Sequence, residues 1–163
     1  MDEAPDDPET LTLRAERCYD AGDCDGARRD LDLALRLDDR YAPALVIRSW
    51  ILVHHDVWSA LADADRAIAI EPEMPHGYLA RAHALERMGD RTGSIDALRR
   101  ALSRCRPDEE FRAYLQSEIR RLGGPEDPPC SRCGWPATAC LTDLRQDGAQ
   151  ETRLCDDCAR DAV

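Results

Sequence analysis

The chain has 163 residues and a formal charge of -11; all of its 22 basic residues are Arg, and it contains neither Lys nor Asn. That length holds one ordinary domain, or one domain and a small module. The acid excess, with no basic stripe to offset it, argues against nucleic acid and anionic membranes as partners, and the missing lysine excludes P-loop, Schiff-base and kinase-type lysine chemistry.

Arginine without Lys or Asn is also what a GC-rich, bacterial genome produces. The start MDEAPDDPET lacks the basic and apolar stretches of a signal peptide, and no apolar run reaches the roughly 18 to 20 residues of a membrane span. A cytoplasmic location with reduced thiols is therefore expected.

Residues 1–7 are acidic and expected to be disordered. Beyond them the chain repeats itself. AGDCDGARRDLDLALRLDD (Ala21–Asp39), HHDVWSALADADRAIAIEP (His54–Pro72) and MGDRTGSIDALRRALSRCR (Met88–Arg106) share three landmarks: an Asp soon after a turn, a small residue four positions on (Ala27, Ala60, Ser94), and an Ala-aliphatic pair (Ala34-Leu35, Ala67-Ile68, Ala101-Leu102). The equivalent aspartates, Asp23, Asp56 and Asp90, are 33 and 34 residues apart, the period of a two-helix repeat. Each segment follows an amphipathic stretch, LTLRAERCYDAG, ALVIRSWILVHH or YLARAHALERMG, whose apolar spacing near 3.6 predicts a first (A) helix packed on the second (B). Gly22 and Gly89 sit where a turn with positive φ is expected, and His55 in that place is expected to cost a little. After the third pair, EEFRAYLQSEIRRLGG predicts a capping helix with Phe111, Leu115, Ile119 and Leu122 on one stripe and Gly123-Gly124 as its stop.

Over most of residues 8–122 this pattern resembles the tetratricopeptide repeat (TPR) family. The resemblance rests on small residues at Ala15, Ala27, Ala60, Ala82 and Ser94, on Tyr78 opening the third A helix, and on Ala34, Ala67 and Ala101. Arg48 stands where the family prefers a small residue, and Leu11 and Ala44 replace its usual aromatic. The resemblance implies a mainly α solenoid of three helix pairs plus the capping helix, with a groove along the A helices that holds a segment of another protein. Counted from Pro8, Tyr41 and Pro75, groove positions fall on Glu9, Thr12, Glu16, Tyr19 and Asp20, then Ala42, Leu45, Ser49, Leu52 and Val53, then His76, Leu79, His83, Glu86 and Arg87. Tyr19, Leu45, Ser49, Leu52, Val53, Leu79, His83 and Glu86 are the expected partner contacts, an apolar centre with acidic flanks. Family members that clamp a chaperone's carboxylate use Lys and Asn, so that clamp is not expected here.

The repeats show no constellation that calls for an enzyme. His54-His55-Asp56 reads as an exposed turn, the arginine pairs as solvated helix faces, and Cys18, Cys24 and Cys105 as semi-buried thiols.

Residues 123–129, ending in PEDPP, read as a stiff linker, and 130–163 as a separate module. Cys130-x2-Cys133 and Cys155-x2-Cys158 have the spacing of a four-thiolate zinc ribbon. Between them, Ala137–Leu144 and Ala149–Leu154 predict a β-hairpin turning at Asp147-Gly148. A module this small has little core, and one structural Zn2+ supplies on the order of 10 kcal/mol of apparent binding free energy. Iron takes the same ligands in rubredoxin-like sites, whose aromatic core is missing here, and a redox CxxC sits at a helix N-terminus, which a hairpin does not offer. The order CxxCGxPAT…LT…DG…LCxxCA is similar to the zinc finger of McsA-type adaptors, matched at Cys130, Cys133, Pro136, Ala137, Leu141, Thr142, Gly148, Leu154, Cys155, Cys158 and Ala159. That resemblance implies the zinc-ribbon shape. The function expected overall is a non-enzymatic adaptor; the alternative is a thiol sensor that releases zinc on oxidation, with Cys140 as a further thiol.

Overall fold

The structure, a computed structural model, describes residues 7–105, 109–124, 139–145 and 148–154. The chain divides into two compact units, residues 1–101 and 102–163. Among the described residues seven α-helices follow one another: α1 (Pro8–Asp20), α2 (Cys24–Leu37), α3 (Ala42–Leu52), α4 (Val57–Ile70), α5 (Pro75–Arg87), α6 (Arg91–Arg104) and α7 (Glu109–Arg121). None is long and apolar enough to cross a membrane.

The repeated aspartates are the N-caps of the B helices. Asp23 accepts from the Gly26 N–H at 2.8 Å, Asp56 from the Ser59 N–H at 3.2 Å, and Asp90 from the Gly93 N–H at 2.9 Å. Each satisfies one of the orphan donors at a helix start and puts negative charge at the positive end of the helix dipole. The middle bond is longest where the third helical residue carries a side chain, and the Ser59 hydroxyl compensates by donating to the same carboxylate at 2.6 Å. The A helices all carry proline in the first turn, at Pro8, Pro43 and Pro75, where the missing N–H has no partner to lose. Helix α1 is also capped by Asp7, which accepts from the Thr10 N–H at 2.8 Å and so is ordered, unlike the expectation for residues 1–7, while α3 and α5 have no side-chain cap.

Within the first unit, helix A packs on helix B through residues small enough for close approach. Leu11, Ala15, Ala27, Leu31 and Ala34 of the first pair form one cluster with Ala44, Ile47 and Ile51 of α3. A second cluster joins Ala42, Leu45 and Val46 to Ala64, Ala67 and Ala80, and a third holds Val53, Ala60 and Ala84. Each pair thus buries its apolar face partly against the next, as a solenoid must.

The A-to-B turns come in two forms. Gly22 and Gly89 both take φ 82, and the turn closes with Asp23 N–H donating to Cys18 O and Asp90 N–H to Leu85 O. This is the glycine-dependent helix stop. In the middle repeat Asp56 N–H donates to Leu52 O, one residue nearer, and no described non-glycine residue has a positive φ. The expected cost at His55 is therefore absent, because the chain takes another path.

In the second unit α7 buries Leu115, Ile119 and Leu122, and Gly123 at φ 68 ends it, with Gly124 N–H donating to Ile119 O. Strands β1 (Ala139–Arg145) and β2 (Gly148–Leu154) pair antiparallel, from Ala139 opposite Leu154 to Arg145 opposite Gly148. Gly148 is thus the first residue of β2 rather than part of the turn.

Candidate functional site

The expected groove residues fall into two groups. Leu45 is fully buried, Ser49 is 1% exposed, Leu79 4% and Val53 8%. These four are packing residues and do not line an open groove. Leu45 lies among Ala42, Ala64, Ala67 and Ala80, whose short side chains leave room for it, and the Ser49 hydroxyl donates to Ala60 O at 2.8 Å across the α3–α4 contact. Thr12, repeat-equivalent to Leu45, is also buried, its hydroxyl spent on Pro8 O at 2.6 Å. Tyr19, Leu52, His83 and Glu86 remain half-buried on α1, α3 and α5, and Glu9, Glu16 and Asp20 are exposed. This side is acidic. The Tyr41 phenol pKa is raised by burial first and then by the charges of Glu9, Asp7, Glu71 and Glu16.

A ladder of ion pairs, missed by the sequence reading, runs through the first unit. Arg14 of α1 holds Asp30 of α2 with two bonds, of 2.6 and 2.7 Å. Arg48 of α3 donates through Nε and Nη2 to Asp63 of α4 at 2.7 and 2.8 Å, and through Nη1 to Asp32 of α2 at 2.9 Å. Arg81 of α5 meets Asp65 of α4 at 3.3 Å. Pairs within a repeat thus alternate with pairs between repeats. Asp63 is only 5% exposed, so its charge depends on Arg48 for compensation. Its bonds in turn hold the Arg48 pKa above its already high ordinary value, against the opposing effect of burial. The signal in the sequence was available: Asp30 and Asp63, and likewise Asp32 and Asp65, are 33 residues apart.

Above this ladder lies a cleft of about 300 Å³ between α2 and α4. Its floor is Arg48 and Leu52 of α3; Arg28 and Asp32 form one wall, and Ser59, Ala62, Asp63 and Arg66 the other. Neither α1 nor α5 contributes to it, and of the expected groove residues it shares only Leu52.

The proposed zinc ligands Cys130, Cys133, Cys155 and Cys158 lie outside the described residues, as do residues 1–6 and the linker stretch 125–129. Among the described residues no group of three or more His, Cys, Asp or Glu is placed to hold a metal. Cys18 is half-buried, Cys24 exposed and Cys105 buried, while Cys140 lies in β1 opposite Arg153.

No protein-family model and no curated protein matches the chain. Among solved structures it is similar to the Arabidopsis OM64 TPR domain, with 18% identity, TM-score 0.59 and coverage of 70% of this chain and 94% of that one. It is also similar to the TPR2B domain of yeast Sti1 in its pHsp70 complex, at 19% identity and TM-score 0.60, covering 71% and 91%. The Yersinia enterocolitica type III secretion translocator chaperone SycD gives 15% identity and TM-score 0.65, again over 71% and 91%. At such identities the likeness is one of fold: the helical part of this chain has the architecture of a TPR domain.

Proposed function

We propose that this chain is a non-enzymatic adaptor whose helical part binds a segment of another protein and whose cysteine module is built on one structural zinc. The observation that carries the first half is the fold itself, shared with the Sti1 domain that is in complex with pHsp70. A solenoid of short helices presents an extended face rather than an enclosed pocket. On the A-helix side Tyr19, Leu52, His83 and Glu86 are the residues left to meet a partner, since the other four expected contacts are buried. The test is co-purification of the tagged full chain with reciprocal capture by the recovered protein. Stoichiometric reciprocal capture supports the reading, and failure of every candidate in the reciprocal direction removes it.

The zinc half is supported by chain geometry. The hairpin register sets the start of β1 beside the end of β2, and Cys155 follows Leu154, the last residue of β2, directly in sequence. Cys133 precedes Ala139 by six residues, which at about 3.3–3.6 Å per residue keeps it within about 20 Å of that same end. Sequence distance therefore allows the two CxxC pairs to share one ion in this reading. Four thiolates would complete a tetrahedral sphere with no open position for water, which makes the role structural. Cys155→Ser is expected to abolish stoichiometric zinc, measured by elemental analysis of protein purified under reducing conditions, while Cys18→Ser and Cys105→Ser retain it. Full zinc in the Cys155 variant would rule the assignment out. No observation among the described residues favours the zinc-releasing sensor.

A further inference from the structure

We infer that the cleft between α2 and α4 is a docking point for an acidic peptide segment of a partner protein, an inference that rests on the protein-binding reading above. The argument is one of unspent charge. Arg48, on the floor, has Nε and both terminal nitrogens committed to Asp32 and Asp63. The two rim arginines are not so committed. Arg28, with a side chain 56% exposed, comes no nearer than 3.9 Å to its closest carboxylate, Asp25, which is outside hydrogen-bond reach. Arg66 donates to the Asp39 carbonyl at 3.0 Å and to no carboxylate. Two guanidiniums on opposite walls therefore keep donors for an anion, and a planar fork is the geometry that takes a carboxylate by two bonds at once.

Of the other lining groups, the Asp32 and Asp63 carboxylates are both held by Arg48, and the apolar ones fit the same occupant. Leu52 and Ala62 supply apolar surface between the rims, and Trp58, 69% exposed, lies one turn before Ala62 on the same face of α4. An aliphatic residue next to a Glu or Asp would find both an apolar contact and a cation. The chain's formal charge of -11 does not forbid this, since charges further away than about 8 Å are largely screened at physiological salt. It does set this face apart from the acidic α1 side, which suits basic groups.

The probe is a fluorescein-labelled peptide of glutamates around a central leucine pair, with its lysine counterpart as control, titrated against the full chain by anisotropy. The Glu peptide is expected to bind, to weaken as salt is raised, and to lose about tenfold or more in affinity when Arg28→Glu and Arg66→Glu are combined. Circular dichroism checks that the double variant keeps its helicity; if it does not, Arg28→Glu alone, on an exposed side chain, is expected to show part of the loss. No binding by the Glu peptide, equal affinity in the variants, or preference for the Lys peptide overturns the proposal. So does displacement of the peptide by inorganic phosphate at matching concentration, which assigns the cleft to a small anion. Self-association abolished by the same variants overturns it too, by assigning the cleft to a second copy. The adaptor reading is judged by reciprocal capture and survives any of these failures.

Discussion

The first and middle repeats share an aspartate cap and buried alanines at equivalent places, yet they are joined and braced differently. The first turns through Gly22 in the left-handed region and holds its helices with Arg14, whose side chain is 51% exposed. The middle one turns without any left-handed residue and holds three helices with Arg48, 21% exposed, against a nearly buried Asp63. A repeat period thus prescribes where helices begin and which faces meet, while the means of closing the turn and of neutralising interior charge are settled repeat by repeat.

The largest contrast should come from the arginines. Arg48→Ala strands the buried Asp63 charge and is expected to cost roughly 3 to 5 kcal/mol, whereas Arg14→Ala, on a pair whose arginine is half exposed, should cost about 1 kcal/mol. Urea unfolding of the two variants side by side measures this, and equal losses would show that Arg48 is no more than a surface contact. Next come the buried equivalents Leu45 and Thr12. Leu45→Ala should cost about 3 kcal/mol by emptying a fully buried site, and Thr12→Ala about 1 kcal/mol, the worth of a local hydrogen bond. A neutral Leu45→Ala would return that residue to an open groove.

The turns give a smaller difference. Gly22→Ala forces a side chain into the left-handed region and is expected to lose about 1 to 2 kcal/mol, seen as a lowered Tm. His55→Gly relieves nothing, since His55 has no positive φ, and should lose up to about 1 kcal/mol through a freer unfolded chain; a gain in stability would mean the middle turn is strained after all. The smallest effect is one of pH. Ser59, donating from its hydroxyl and then its backbone N–H, holds the Asp56 carboxyl below the usual carboxylate range. Its contribution is fully present above the unfolded value of about 4 and fades as pH falls through the lower folded value. Asp56→Asn should flatten the acid limb of the stability curve slightly, and an unchanged limb would remove the cap from that account.

Period, helix order and the A-to-B pairing were legible in the sequence because they rest on local and repeating causes. Alanines recur where helices touch, glycines where φ turns positive, and aspartates where B helices start, although the capping role of Asp23, Asp56 and Asp90 became plain only with the Gly26, Ser59 and Gly93 N–H groups in view. Which side of an A helix faces water was another matter. One residue of helix rotation is about 100°, and sequence spacing alone did not distinguish a Leu45 lining a groove from a Leu45 packed on Ala64 and Ala80. Arg48 is the clearest case of what tertiary structure decided. The sequence showed only that a large charged residue stood where a small one was expected; the fold brought Asp32 and Asp63, 16 and 15 residues away, to either side of its guanidinium. Contacts between helices depend on how each is rotated and tilted against its neighbours, and no spacing along a single helix carries that information.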